Sequence, residues 1–106
     1  MADEIIVLIT AGAGEEAAKI ARSLVEERLV ACVNIVPEVR SIFFWDNSAR
    51  DERETLLVCK SRAQRLDQII ARVKELHTYA VPEIIALPII GGSRSYLDWL
   101  KEATTE

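Results

Sequence analysis

Residues 29–45 read LVACVNIVPEVRSIFFW, seventeen positions dense in β-branched and aromatic side chains and interrupted only by Pro37. As one extended strand at ~3.3 Å per residue, such a segment reaches roughly 50 Å, about three times an ordinary strand. A compact chain of 106 residues is only about 30 Å across. One copy has too little surface of its own to cover so long an apolar ribbon, and an uncovered strand edge is a template for pairing with another chain. A second copy of the same chain is the simplest cover, so the sequence predicts self-association.

The length fits a single domain over residues 1–106, with one packed core. Thirteen Lys and Arg against seventeen Asp and Glu leave a net charge of −4. The basic residues are scattered, without a stripe that could track phosphates, so a nucleic-acid partner is not expected. The start MADEIIVLIT has no basic leader region, and its apolar run is too short for export or for spanning a bilayer. A cytoplasmic protein without a membrane partner is the expectation. Cys32 and Cys59 each lie in an apolar run, where a thiol behaves as a small hydrophobe. Their separation forms no zinc motif.

Residues 4–10 (EIIVLIT) form a continuous apolar run ahead of Gly12 and Gly14, the pattern of a strand buried on both faces. The period then changes. Ala17, Ile20, Ala21, Leu24, Val25 and Leu29 recur at helical spacing, with Glu15, Lys19, Arg22 and Glu26 on the other side. The long strand follows at once. Residues 46–52 (DNSARDE) read as a polar turn and residues 53–60 (RETLLVCK) as a strand, which together make an antiparallel hairpin. Ser61 and Gln64 match a capping box ahead of a helix with the stripe Leu66, Ile69, Ile70, Val73 and Leu76. Residues 77–82 connect to a last strand over 83–90, ended by Gly91-Gly92. Ser95 with Asp98 is expected to cap a short terminal helix presenting Tyr96, Trp99, Leu100 and Ala103 on one face. The order β-α-β-β-α-β plus a short C-terminal helix predicts an α+β, ferredoxin-like sandwich: two helices on one face of a four-stranded antiparallel sheet.

Catalytic motifs are scarce. The segment Gly12-Ala13-Gly14-Glu15-Glu16-Ala17 matches G-x-G-x-x-A, but two carboxylates would stand where a pyrophosphate belongs, and they suit the helix dipole instead. No P-loop lysine, Gly-x-Ser-x-Gly or H-E-x-x-H occurs, and both thiols sit in apolar surroundings that raise a thiol pKa. A non-enzymatic protein with no required cofactor is expected. His77, the sole histidine, stands where the second helix ends, and reads either as a helix-end cation or as a metal ligand. Tyr79 and Glu83 bring polar groups close to it. Trp45 at the hairpin tip, far from its own core, reads as an anchor on a neighbouring copy.

RLVACVNIVP (28–37), SIFFW (41–45), the strand from Glu54 to Lys60, ELHTYAVPEIIALPI (75–89) and YLDWL (96–100) together resemble the CutA-type divalent-cation tolerance family over nearly the whole chain. The resemblance implies a cytoplasmic homotrimer in which long hairpins join neighbouring sheets, with a role in tolerance of copper and other divalent ions. Ile42, Phe44, Trp45 and Trp99 are then the expected contacts between copies. Members with a proposed copper site carry a cysteine in the first strand and two adjacent histidines after the second helix. Here those positions read Ile9 and Leu76-His77, leaving His77, with Cys32 as the remaining nearby thiol, to bind copper or another divalent ion weakly. The architecture is also similar to that of PII signalling proteins, which implies a second possibility: a small anionic ligand in an inter-subunit cleft lined by Tyr79, Glu83, Lys60 and Trp45. A structural trimer that anchors other proteins is a third.

Overall fold

A computed structural model describes residues 3–12 and 14–105. Met1, Ala2, Ala13 and Glu106 lie outside the described residues, so of the Gly12-Ala13-Gly14 motif only the two glycines are described. The elements run β1 (Glu4–Ala11), α1 (Glu15–Glu26), β2 (Cys32–Trp45), β3 (Ser48–Arg62), α2 (Leu66–Leu76), β4 (Ile84–Pro88) and α3 (Arg94–Ala103). This is the expected order. One sheet holds the strands as β2-β3-β1-β4, and every neighbouring pair is antiparallel.

Several boundaries differ from the expected ones for local reasons. α1 stops at Glu26 instead of running to Leu29, because Arg28 adopts a left-handed φ of 60°. The Arg28 amide donates to the Val25 carbonyl and the Leu29 amide to that of Leu24, which is a Schellman closure with arginine where glycine is usual. The Arg28 side chain compensates by donating to the Ala103 and Glu102 carbonyls at 3.1 and 2.8 Å, and so closes the C-terminus of α3. Leu29, Val30 and Ala31 are therefore a buried connection, not strand. The hairpin turn is two residues, Asp46 and Asn47, with φ of 51° and 61°. Both angles are positive, as a primed turn requires. The polar residues that follow, expected as a loop, pair instead as strand from Ser48 onward.

Ser61 does not cap α2. It lies in β3, and its hydroxyl donates to the Leu29 carbonyl at 2.6 Å, while the helix is entered through a 3₁₀ turn at Ala63–Arg65. α3 begins slightly earlier than expected: Ser93, not Ser95, accepts the Tyr96 amide. β4 is shorter than residues 83–90 and ends at Pro88, which has no amide to continue a ladder.

The register sorts the sheet into two unlike faces. Ile5, Val7 and Ile9 face α1 and α2 together with Leu57 and Cys59, packed against Ala17, Ile20, Leu24, Ile69 and Val73. The alternate positions Ile6, Leu8, Leu56 and Val58, with Ile85 and Leu87 from β4, face the other way. They are only half-buried or exposed. Among the described residues, α3 meets this second face at one end, where Tyr96 stands beside Cys32 and Thr104 bonds Arg62.

β1 pairs with β3 only from Thr55 to Arg62, so the rest of the hairpin projects as a two-stranded ribbon, and the molecule measures 44 × 25 × 23 Å. A bulge between Val36 and Val39, where Thr55 donates to the Pro37 carbonyl, shifts the alternation of β2 by one. After it, Val39, Ser41, Phe43 and Trp45 continue the open face, while Ile42 and Phe44 turn to the opposite side. Arg40 and Asp51 form a two-point ion pair along the ribbon. The pairing holds the Arg40 pKa above its ordinary value and the Asp51 pKa below, but such exposed pairs stabilise little. The ribbon has no core of its own.

Candidate functional site: an acidic, aromatic cleft

Where the ribbon leaves the sheet, a cleft of about 720 Å³ opens between its inner face and the chain after α2. Phe43, Trp45, Arg50, Glu52 and Glu54 line it from the ribbon, and Tyr79, Val81 and Glu83 from the opposite wall. Trp45, Tyr79 and Glu83, expected as cleft residues, are brought together here. Lys60 is not. It sits opposite Cys32 and Ile6, four residues from Thr10 along β1 and so ~13 Å away along the strand, and bonds Asn34 instead.

The far wall is held by His77. The imidazole is buried, and Nε2 donates to the Thr10 carbonyl at 2.7 Å, which fixes the proton on that nitrogen because a carbonyl can only accept. Nδ1 then accepts the Tyr79 amide at 3.1 Å, and Glu16 lies 3.3 Å from the same nitrogen. Glu16 also accepts from the Thr78 amide and hydroxyl. The acidic first turn of α1 therefore clasps the segment after α2. The Tyr79 ring lies 4.5 Å from the imidazole, and its hydroxyl donates at 2.9 Å to the buried Glu54 carboxylate.

These contacts decide what His77 can do. Both ring nitrogens already have partners, so a metal would have to displace one. Cys32 does not help, because it pairs beside Lys60 and Ile6, toward the other end of the strand from Thr10. Among the described residues no group of three His, Cys, Asp or Glu side chains is placed to hold a metal ion. The residues present do not fit a histidine–cysteine metal centre. Nor do they form a Cys–His pair, since Cys59 lies opposite Val7, three positions from Thr10. Burial pushes the Cys59 pKa up to about 12, against the pull of neighbouring Lys60, so the thiolate needed for nucleophilic attack is scarce at neutral pH.

The cleft's charge also constrains its occupant. Glu52, Glu54 and Glu83 face one guanidinium, that of Arg50. The excess of negative charge opposes the small anionic ligand expected there. Tyr79 reports this environment. Burial first, then the Glu54 hydrogen bond and the charges of Glu54, Glu52 and Glu16, raise its pKa from 10.0 to about 12. Between those values the unfolded chain loses the phenolic proton while the folded chain keeps it, so stability falls as the pH rises from about 10 to about 12. Ultraviolet titration of the folded protein is expected to show Tyr79 ionising at about pH 12, with Tyr96, partly buried beside Cys32, also above the ordinary value. Ionisation of Tyr79 at the ordinary value would show that it is neither buried nor bonded to Glu54 in solution.

The expected contacts between copies are exposed in the single chain: Ile42 71%, Phe44 73%, Trp45 50% and Trp99 46%. They do not all share one surface: Phe44 alternates with Trp45 along β2, and Ile42, on the same alternation as Phe44, still borders the cleft. Trp99 stacks at a tilt on Tyr96, with centroids 5.5 Å apart. Sequence patterning missed the remaining apolar members of the open face, above all Leu8, Val58, Ile85 and Leu87. They were legible only as generic core positions until the register assigned their side.

Known proteins share this fold. The solved structure of the divalent cation tolerance protein from Thermus thermophilus superposes with a TM-score of 0.93 at 51% identity, covering 96% of this chain and 99% of that one. A family model described as CutA1 divalent ion tolerance protein matches residues 5–103, and the chain belongs to that family. The divalent-cation tolerance protein CutA of Thermus thermophilus is 52% identical over 101 residues, which are 95% of this chain and 98% of that protein. The chloroplastic CutA 1 protein of Oryza sativa subsp. japonica is 44% identical over 102 residues, 96% of this chain but 58% of that longer protein.

Proposed function

We propose that this chain is a homotrimeric, non-enzymatic cytoplasmic protein of ferredoxin-like topology that serves tolerance of divalent metal ions, copper among them, and requires no cofactor. Family membership supports the link to metal tolerance. The observation that carries the assembly is the open apolar surface formed by Leu8, Val58, Ile85 and Leu87, with Phe43 and Trp45 beyond the bulge on the same side among the polar groups of the cleft. Exposed apolar area of this extent is unfavourable in water at roughly 25 cal/mol per Å², and monomeric proteins rarely leave such a patch open. Sister copies cover it. The metal reading follows from the same geometry. With both His77 nitrogens engaged and Cys32 elsewhere, divalent ions are held weakly, and tolerance does not depend on a tight internal site.

Calorimetric titration of copper(II) into the wild type and His77→Gln tests the metal reading. Superimposable isotherms are expected, with dissociation constants on the order of 0.1 mM or weaker. A tight transition present in the wild type and lost in the variant would overturn the reading and restore His77 as a ligand.

A further inference from the structure

We propose that the acidic, aromatic cleft binds an aliphatic diamine, an organic ligand with an ammonium at each end of an apolar chain. Glu52, Glu54 and Glu83 face the cleft with Arg50 as the one cation, three negative charges against one positive. Arg50 is already turned to the ribbon tip, where Nη2 lies 3.7 Å from Asp46 and Nε donates to the Ser48 hydroxyl at 3.2 Å. Glu52 and Glu83 take part in no hydrogen bond or ion pair among the described residues. The cations on the other side of the ribbon, Arg40 and Arg53, are paired with Asp51 and Glu38. The chain therefore leaves the charge of the cleft unbalanced, and a field of that sign attracts cations.

Glu54 places this imbalance inside the fold. The residue is only 7% exposed, and its one hydrogen bond comes from a neutral group, the Tyr79 hydroxyl, onto Oε2. Oε1 receives none among the described residues. Because no fully enclosed side-chain oxygen among them lacks a partner, Oε1 opens to solvent, on the cleft that Glu54 lines. A carboxylate set so deeply is unfavourable without a cation beside it, and an arriving ammonium supplies one. The spread of the carboxylates then selects the shape of that cation. Among the described residues no three His, Cys, Asp or Glu side chains are grouped to hold a metal ion. Glu52 and Glu54 stand two positions apart on one face of β3, ~7 Å along the strand, and Glu83 is on the facing wall. Phe43, Trp45 and Tyr79 line the same space, and such rings attract ammonium groups and cover methylenes. A point charge meets one of these carboxylates, whereas a flexible chain with two ammoniums meets two of them and lays its stem on the rings. Both walls belong to one chain, so this inference rests on neither the assembly nor the metal reading.

Calorimetric titration of putrescine into the intact protein at constant ionic strength tests it. Saturable binding is expected, with butylamine, of the same length but with a single ammonium, bound about tenfold or more weakly. Glu52→Gln and Glu83→Gln, at exposed positions with no bond to lose, should keep the fold and each weaken putrescine binding by about tenfold or more. The proposal fails if putrescine gives no saturable heat, if butylamine binds as tightly, if equimolar magnesium displaces putrescine, or if both variants bind as the wild type does. A basic side chain of a sister copy lying in the cleft would give the first of these results.

Discussion

Trp45→Ala is expected to lower the stability of the assembled protein by about 3–5 kcal/mol, the range for deleting a fully buried indole. It should leave the fold of the single chain nearly unchanged. Trp45 is half exposed and sits at the tip of the ribbon in β2, an edge strand paired with β3. An isolated two-stranded ribbon is marginal in water. In the proposed assembly the exposed half of the indole is buried against another copy, and the expected loss comes from there. Denaturant unfolding at two protein concentrations measures this directly, because a midpoint set by association moves with concentration. A loss below about 1 kcal/mol would place Trp45 outside the interface, since that is the usual effect of a surface change.

Two adjacent residues of β3 should behave in opposite ways. Leu57 is fully buried against α1 and α2, and Leu57→Ala removes packing within one chain, at a cost of about 2–5 kcal/mol. Val58 points to the open face. Val58→Lys should keep the helical circular-dichroism signal of a folded chain while abolishing association, because a lysine buried in an apolar contact has no partner for its charge. Loss of folding in Val58→Lys with association retained in Leu57→Ala would mean that the two faces have been assigned the wrong way round. A strand whose neighbours fail differently is a property of register, which reverses every side chain on a one-residue slip.

That register is also where the sequence stopped being legible. Helical spacing from Ala17 to Leu24 and the unbroken apolar run of β1 identified their elements, because one face of each is buried by its own chain. The hairpin was readable as long and apolar. Which of its residues lie together was not, because the bulge beside Pro37 changes the alternation midway and separates Trp45 from Ile42 and Phe44. The capping box at Ser61 failed for a related reason: the hydroxyl found a buried carbonyl, that of Leu29, in a segment distant in sequence. Of the cleft residues, Trp45, Tyr79 and Glu83 were recognisable as polar or aromatic groups near the hairpin and the connection. Glu54 was not, since a carboxylate in a polar strand end gives no sign that it will be buried beneath a tyrosine hydroxyl. Lys60 is expected in the cleft only through the likeness to PII proteins, and the pairing of β3 with β1 carries it toward the other end of the sheet.

Sedimentation equilibrium at micromolar concentration addresses the central claim most directly. A single species of about 36 kDa, three times the chain mass of 11.9 kDa, is expected, persisting on dilution as closed symmetric assemblies do. A well-folded particle of 11.9 kDa would mean that water, and not a sister copy, covers the open face and the ribbon.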